Sequence, residues 1–306
     1  MLNLLNIFLT IVSLLVFSGC RKDDDPDKVY RINGTMNIDG RTRTYLLNLP
    51  PGYYENESMS LVVGLHGTGG SAVQFDRDYG FTEKANSEGF IIVYPEGVRS
   101  DGILKLRTWN AGTCCDYAAE QNINDVKYIR TLIDELVAKY KIDPKRVYLT
   151  GMSNGGMMAY RLASEMPDKI AAVAPVSSTM MIQQAINKER AMPILHIHSS
   201  KDTKVPYHGG VGLGGYNFAP VDSTLRVWAQ SNACLQGPKV LVDDSRYKLT
   251  EWTDCNNGAI IKCYLTQDGG HSWPGGKRSN SRGDEPSSVI NATDLIWEFF
   301  KSRSLP

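Results

Sequence analysis

The stretch VYLTGMSNGGMMAYRL, residues 147–162, places Ser153 between Gly151 and Gly155, with Gly156 directly behind. The apolar run before the serine reads as a strand and the run after it as a helix, so Ser153 falls on a sharp strand-to-helix corner. Such a corner forces strained dihedrals on its central residue, and flanking glycines remove the side chains that would collide there. The hydroxyl is thereby lifted clear of the backbone. It becomes a nucleophile only when an imidazole takes its proton and a carboxylate holds that imidazole in one tautomer.

Five histidines are available. His66 ends the apolar run LVVGLH, His196 and His198 alternate within a predicted strand, and His208 lies in the loop VPYHGG. His271 lies in DGGHSWPGG, a glycine-bracketed loop after the last predicted strand. A corner nucleophile of this kind is followed in chain order by an acid and then a histidine, which makes His271 the expected base and His208 the reserve. The acid should follow a strand between the two. PILHIHSSKDTKVP puts Asp202 in the loop at a strand's carboxyl end. Asp222 competes, but VDSTLRVW makes it a helix N-cap, and Asp243 and Asp244 sit in a polar turn between strand-like runs. The oxyanion of an acyl transition state needs donors. The amide of Asn154, just after the nucleophile, is one; the glycine-rich HGTGG, residues 66–70, offers Thr68 as the other.

Three other patterns carry less. Gly210, Gly212 and Gly215 match GxGxxG, but no acidic residue follows about 20 positions on and the first-strand context is wrong, so this is a loop. His196 and His198 would point to one strand face; without a third ligand nearby they read as buried, hydrogen-bonded histidines and no metal is expected. Asn33, Asn56 and Asn291 head N-x-S/T sequons, which carry no meaning in a bacterial chain.

The elements that must position Ser153, Asp202 and His271 alternate along the chain. VYRINGTMNIDG and RTRTYLLNLP predict an antiparallel hairpin turning at Asp39-Gly40. LVVGLH (61–66) and FIIVYPE (90–96) are short apolar runs of the buried-strand kind. DVKYIRTLIDELVAKY predicts a helix with Val126, Ile129, Ile133, Val137 and Tyr140 on one face, stopped by Asp143-Pro144. RVYLTG, IAAVAPVSS and MPILHIHSS supply further strands. A helix at 222–231, a strand at 259–266 and a last helix at 288–301 complete the series. Strands alternating with helices imply an α/β fold: a mostly parallel sheet covered on both faces, with the site beyond the carboxyl ends of the strands. No stretch between strands is long enough for a cap, so one catalytic domain is expected over 29–306.

The chain has 306 residues, 42% hydrophobic and 22% charged, with 33 basic and 33 acidic side chains. This balance gives no reason to expect nucleic acid as a partner, and a monomer is favoured. Residues 1–20 hold a nearly uncharged apolar run, LLNIFLTIVSLLVFSGC, shorter than the roughly 20 apolar residues of a membrane span. Small residues just before Cys20 look like a bacterial lipoprotein signal, with Cys20 lipidated and RKDDDPDK (21–28) as a polar tether. An uncleaved anchor or an ordinary cleaved secretory peptide are the alternatives. In each case the domain is extracytoplasmic, anchored to the outer membrane or cell surface on the first reading. In an oxidising compartment the remaining cysteines are disulfide candidates; Cys234–Cys255 is the favoured pair, with Cys263 free inside a strand.

LHGTGGSA, TWNAGTCCDYA, NDVKYIRTLID, the long segment from Arg146 to Ser177, HIHSSKDTKVPYHGG and GGHSWPGG resemble the poly(3-hydroxybutyrate) depolymerase and feruloyl esterase group of α/β-hydrolases, carbohydrate esterase family one and its relatives. The resemblance runs from about residue 30 to 300. It implies an α/β-hydrolase fold, Ser153, Asp202 and His271 as triad, no cofactor, and an acyl site lined by the loops bearing Thr68, Trp109 and Trp273. Many relatives carry another cysteine where Ser164 stands, which leaves the partners of Cys114 and Cys115 open. Flat surfaces at Trp109 and Trp273 would suit a planar phenolic acyl group. The expected substrates are ester-bearing plant polysaccharide fragments: feruloyl esters of arabinoxylan first, acetyl esters of xylan second, hydroxyalkanoate oligomers third. The reading from a different class is a non-catalytic, carbohydrate-binding lipoprotein.

Overall fold

The computed structural model describes residues 28–278 and 283–306. The signal-like run 1–20, the proposed lipidation site Cys20 and nearly all of the tether 21–28 lie outside the described residues.

The described chain opens on the hairpin of β1 (Arg31–Ile38) and β2 (Arg41–Asn48), which turns at Asp39 and Gly40, both at positive φ. β3 (Met59–Leu65), buried throughout, leads into α1 (Ala72–Tyr79) and α2 (Phe81–Glu88). Then come β4 (Ile91–Pro95), the short pair β5 (Val98–Arg99) and β6 (Arg107–Thr108), α3 (Asp116–Glu120) and α4 (Asp125–Lys139). β7 (Ile142–Met152) runs into α5 (Asn154–Glu165), followed by β8 (Ala172–Val176) and β9 (Ile194–Ser199). A small hairpin of β10 (Gly210–Val211) and β11 (Asn217–Phe218) precedes α6 (Val221–Ser231). β12 (Gln236–Asp243), β13 (Tyr247–Thr253), β14 (Ile261–Thr266) and α7 (Ala292–Phe300) complete the fold.

Ten strands form one sheet in the order β1-β2-β4-β3-β7-β8-β9-β14-β13-β12. The central run from β4 to β14 is parallel, and antiparallel strands finish both edges. Because side chains alternate across a strand, neighbouring residues feed two different cores. Leu61, Val63 and Leu65 of β3 pack with Tyr128, Met158 and Trp228 from α4, α5 and α6. Val62 points the other way, with Phe75, Phe81 and Phe300 from α1, α2 and α7. This is the expected α/β-hydrolase arrangement, a mostly parallel sheet with helices on both faces. Among the described residues no helix is long and apolar enough to cross a membrane.

Several local expectations are corrected. α4 buries Tyr128, Ile129, Leu132, Ile133 and Leu136, while Val126 and Val137 lie at the margin; a helix lying on a sheet needs a wide apolar face. It ends at Lys139, where Tyr140 turns extended, and Asp143-Pro144 belong to β7 rather than stopping the helix. Asp222 is not an N-cap: Pro220 holds that position, and Asp222 in the first turn accepts from the Tyr207 hydroxyl at 2.6 Å. The last helix starts at Ala292, where the Asn291 side chain accepts from Asp294 N at 3.0 Å. As expected, Cys234 pairs with Cys255 and Cys263 is free and buried; Cys114 and Cys115, whose partners the sequence left open, pair with each other.

Candidate active site

Ser153 sits between β7 and α5 with φ 56° and ψ −122°, a conformation that costs a non-glycine residue about 1–3 kcal/mol. Its N–H donates to Val176 O and its carbonyl accepts from Met157 N, each at 2.9 Å, so strand and helix both hold it. The glycines are required by close approach. A Cβ on Gly155 would collide with the carbonyls of Leu65 and His66, one on Gly151 would strike Gly155, and one on Gly156 would strike Ser178. Without those side chains, α5 can start flush against β3.

The loop after β3 lies against this corner: a Cβ on Gly67 would stand 3.3 Å from both Ser153 Cβ and the Met152 carbonyl. Gly69 N donates to Arg107 O at 2.8 Å and Gly70 N to Gly67 O at 2.9 Å. The amide of Thr68 has no acceptor among the described residues. Asn154 N, in the first turn of α5, has no intrahelical acceptor either. Below the loop, fully buried His66 accepts from Gly97 N through Nε2 at 2.9 Å and donates to Gly67 O through Nδ1 at 2.8 Å. Burial, with Arg107 and Arg43 nearby, lowers its pKa to about 4.

Asp202, in the loop after β9, and His271, in the loop after β14, come together with His271 Nδ1 2.7 Å from Asp202 Oδ2. The other carboxylate oxygen accepts from the amides of Lys204 at 2.9 Å and Val205 at 2.8 Å. Burial by itself would push the Asp202 pKa up; the His271 and His198 rings outweigh it and hold the carboxyl well below the usual carboxylate range. Asp202 is therefore an anion at neutral pH, and His271 carries its proton on Nδ1, leaving Nε2 free as a base. Ser153 and His271 line the same cleft, of about 320 Å³, together with Gly67 and Thr68.

The other sequence-predicted residues divide. Trp273 borders the cleft but is fully buried, with its ring stacked on Tyr79 at 4.6 Å and its Nε1 donating to Thr293, which corrects the expectation of an open flat surface there. Trp109 offers no open face, which corrects the expectation of a flat surface there. It is fully buried, donates from Nε1 to His66 O at 2.9 Å, and stacks on Tyr128. The Asn154 side chain grips its backbone, accepting from Trp109 N at 2.7 Å and donating to Trp109 O at 3.0 Å. Trp109 thus braces the loop after β3 from behind. His208 is exposed and packs on Tyr207. Cys263 is no rival nucleophile, since burial pushes its thiol up to about 12.

Sequence reasoning missed Asp284, whose Oδ2 accepts from His271 N at 2.8 Å while Oδ1 binds Lys204 Nζ at 3.0 Å. It ties the His271 loop to the Asp202 loop. It stands in a polar stretch, RSNSRGDEPSS, with no periodicity to single it out. Tyr79, Gln74 and Leu213 also line the cleft without any sequence signal of that role.

A family model described as "Esterase PHB depolymerase" matches residues 43–221. Among curated proteins, feruloyl esterase B of Piromyces equi is 27% identical over 273 residues, 86% of this chain and 46% of that protein. A bifunctional acetylxylan esterase/xylanase of Neocallimastix patriciarum is 29% identical over 217 residues, 69% of this chain and 28% of that protein. The chain thus spans less than half the length of either relative. An acetyl xylan esterase structure from Aspergillus awamori superposes with a TM-score of 0.63 over 89% of this chain and 98% of that one, at 17% identity, a likeness of fold.

Proposed function

Because the chain belongs to the esterase PHB depolymerase family, we propose that it is a serine carboxylesterase acting on acylated plant polysaccharide fragments, with Ser153, His271 and Asp202 as its triad. His271 Nε2 takes the Ser153 hydroxyl proton as Oγ bonds to the ester carbonyl carbon. The amides of Thr68 and Asn154 receive the oxyanion. The intermediate collapses as His271 returns the proton to the departing sugar oxygen, leaving an acyl-serine. Water, deprotonated by the same imidazole, then releases the acid and restores the serine. The observation that carries the reading is the ionised Asp202 bonded to His271 in a cleft also lined by the strained Ser153 corner.

The acyl group is assigned as feruloyl. A cleft of about 320 Å³ is at the small end of ligand sites but far exceeds an acetyl group, and the largely buried Tyr79 and Trp273 border it. The feruloyl and acetylxylan esterase relatives support an ester on xylan as the substrate class. Acetyl is the second reading, favoured by the polar Gln74, Lys204 and Asp284 in the same lining. A panel of methyl ferulate, acetylated xylan and 3-hydroxybutyrate trimer, assayed on one preparation, decides; acetate release tenfold faster than ferulate release would overturn the feruloyl assignment. Ser153→Ala should abolish turnover and labelling by a fluorophosphonate, and a variant that still turned over would refute the triad. Anchoring through a lipidated Cys20 is part of this proposal. Cys20→Ser should leave unprocessed precursor or release the protein, and an unchanged mature mass and membrane fraction would refute the anchor.

A further inference from the structure

Behind Asp202 lies a row of buried polar rings that the mechanism above does not use. His198 and His196, on the face of β9 turned toward α5, and Tyr160 of α5 are all fully buried. The Tyr160 hydroxyl is 2.8 Å from His196 Nδ1, and His196 Nε2 is 3.1 Å from His198 Nδ1. His198 Nε2 is 2.8 Å from Val205 O and 3.3 Å from Asp202 Oδ2. The imidazoles lie nearly parallel, 18° apart at 5.3 Å, with Tyr207 set edge-on against His198.

With both imidazoles neutral, the far end fixes every proton in the row. A carbonyl and a carboxylate can only accept, so His198 Nε2 must carry hydrogen. A neutral His198 then presents a lone pair at Nδ1, which requires hydrogen on His196 Nε2. His196, kept neutral by burial, presents its own lone pair at Nδ1, which the Tyr160 hydroxyl fills. Reversing the row would aim the His198 Nε2 lone pair at two oxygens. All three hydrogens therefore point toward Asp202, and hydrogen bonds aligned this way polarise one another.

Resting on the triad reading above, we propose that His198 is a positioning residue for the acid Asp202, held in its Nε2–H tautomer by His196 and Tyr160. The main chain pins Oδ1, and the His198 N–H, bonded to Val205 O and 3.3 Å from Oδ2, flanks the other oxygen, which keeps the carboxylate turned toward His271. The His198 N–H also draws charge from Oδ2 and moderates its pull on the His271 proton. Removing that N–H should lower kcat and move the acidic limb of the pH–rate profile to higher pH, while KM, set in the cleft, stays put.

The test uses the whole protein. His198→Leu should lower kcat by about 10- to 100-fold, the range that misplacing a reacting group produces, with KM within about 2-fold and the acidic limb of kcat/KM moved to higher pH. His198→Gln, which keeps a donor, should recover part of kcat, and Tyr160→Phe should shift the limb the same way by less. If His198→Leu does not fold, His198→Gln and Tyr160→Phe carry the test, and unmoved pH profiles in both overturn the proposal. Unmoved kcat and profile in a folded His198→Leu also overturn it. Ring nitrogen shifts by NMR should show neutral Nε2–H forms at His196 and His198, and an Nδ1–H form at either overturns it. Asp202→Asn separates the two readings. Activity retained there refutes the triad itself, whereas activity lost there but intact in His198→Leu refutes only the positioning role.

Discussion

Lowering the pH should destabilise this protein through His66 before most of its carboxylates titrate. His66 is fully buried and satisfied only as a neutral ring, because Nε2 accepts from Gly97 N while Nδ1 donates to Gly67 O. Protonation would put a second donor against the Gly97 N–H in a pocket already facing Arg107 and Arg43. The folded pKa is about 4 against an ordinary 6.5, so between these values the unfolded chain binds more protons and stability falls as pH falls. Each unit of difference is worth about 1.4 kcal/mol, making the full effect about 3 kcal/mol, of which about 2 kcal/mol is lost between pH 7 and pH 5. His196, whose pKa is also lowered by burial, adds a loss of the same sign. Urea unfolding midpoints at pH 7, 6 and 5 measure the sum. His66→Gln keeps a donor and an acceptor but cannot titrate, so its stability should lose about 2 kcal/mol less over the same range. An equal loss in wild type and variant would refute the assignment of His66 as a ring that must stay neutral.

Other outcomes follow from single contacts. Gly155→Ala drives a methyl into the carbonyls of Leu65 and His66; it should cost about 1–3 kcal/mol of stability and lower kcat by displacing the Asn154 amide, both measurable on one preparation. Paired Cys234→Ser and Cys255→Ser removes a cross-link spanning 21 residues and should cost about 3 kcal/mol in urea unfolding. Trp109→Phe deletes the bond to His66 O; it should destabilise by about 1 kcal/mol and leave KM for methyl ferulate unchanged, since the ring does not reach the cleft. Asp284→Ala frees the His271 amide and the Lys204 ammonium and should lower kcat with KM little changed, read in the same ester assay.

The parts of the site that a sequence displays are those where the backbone itself does the work. The sharp corner at Ser153 was legible because it needs glycines at fixed offsets, and the close approach of Gly67 to Gly70 because a glycine-rich loop can lie directly against it. The meeting of Asp202 with His271 was legible by order alone, since loops at the carboxyl ends of parallel strands β9 and β14 meet when those strands are neighbours, as they are. What a sequence hides is the direction a side chain takes from its place. Trp109 stands beside the site in sequence, yet the Asn154 amide clamps its backbone so that the ring enters the core. α1 and α2 are short and polar and left no clear period, though Phe75, Tyr79 and Phe81 from them pack around Trp273. These aromatics decide how the His271 loop sits, and they are spread over nearly 200 residues of chain, so only the folded sheet brings them together. The proposed catalytic groups are therefore held from two sides. Aromatic packing supports the base from one core, and the row of hydrogen-bonded rings reaches the acid from the other. A substitution deep in either core should register in turnover before it registers in substrate affinity.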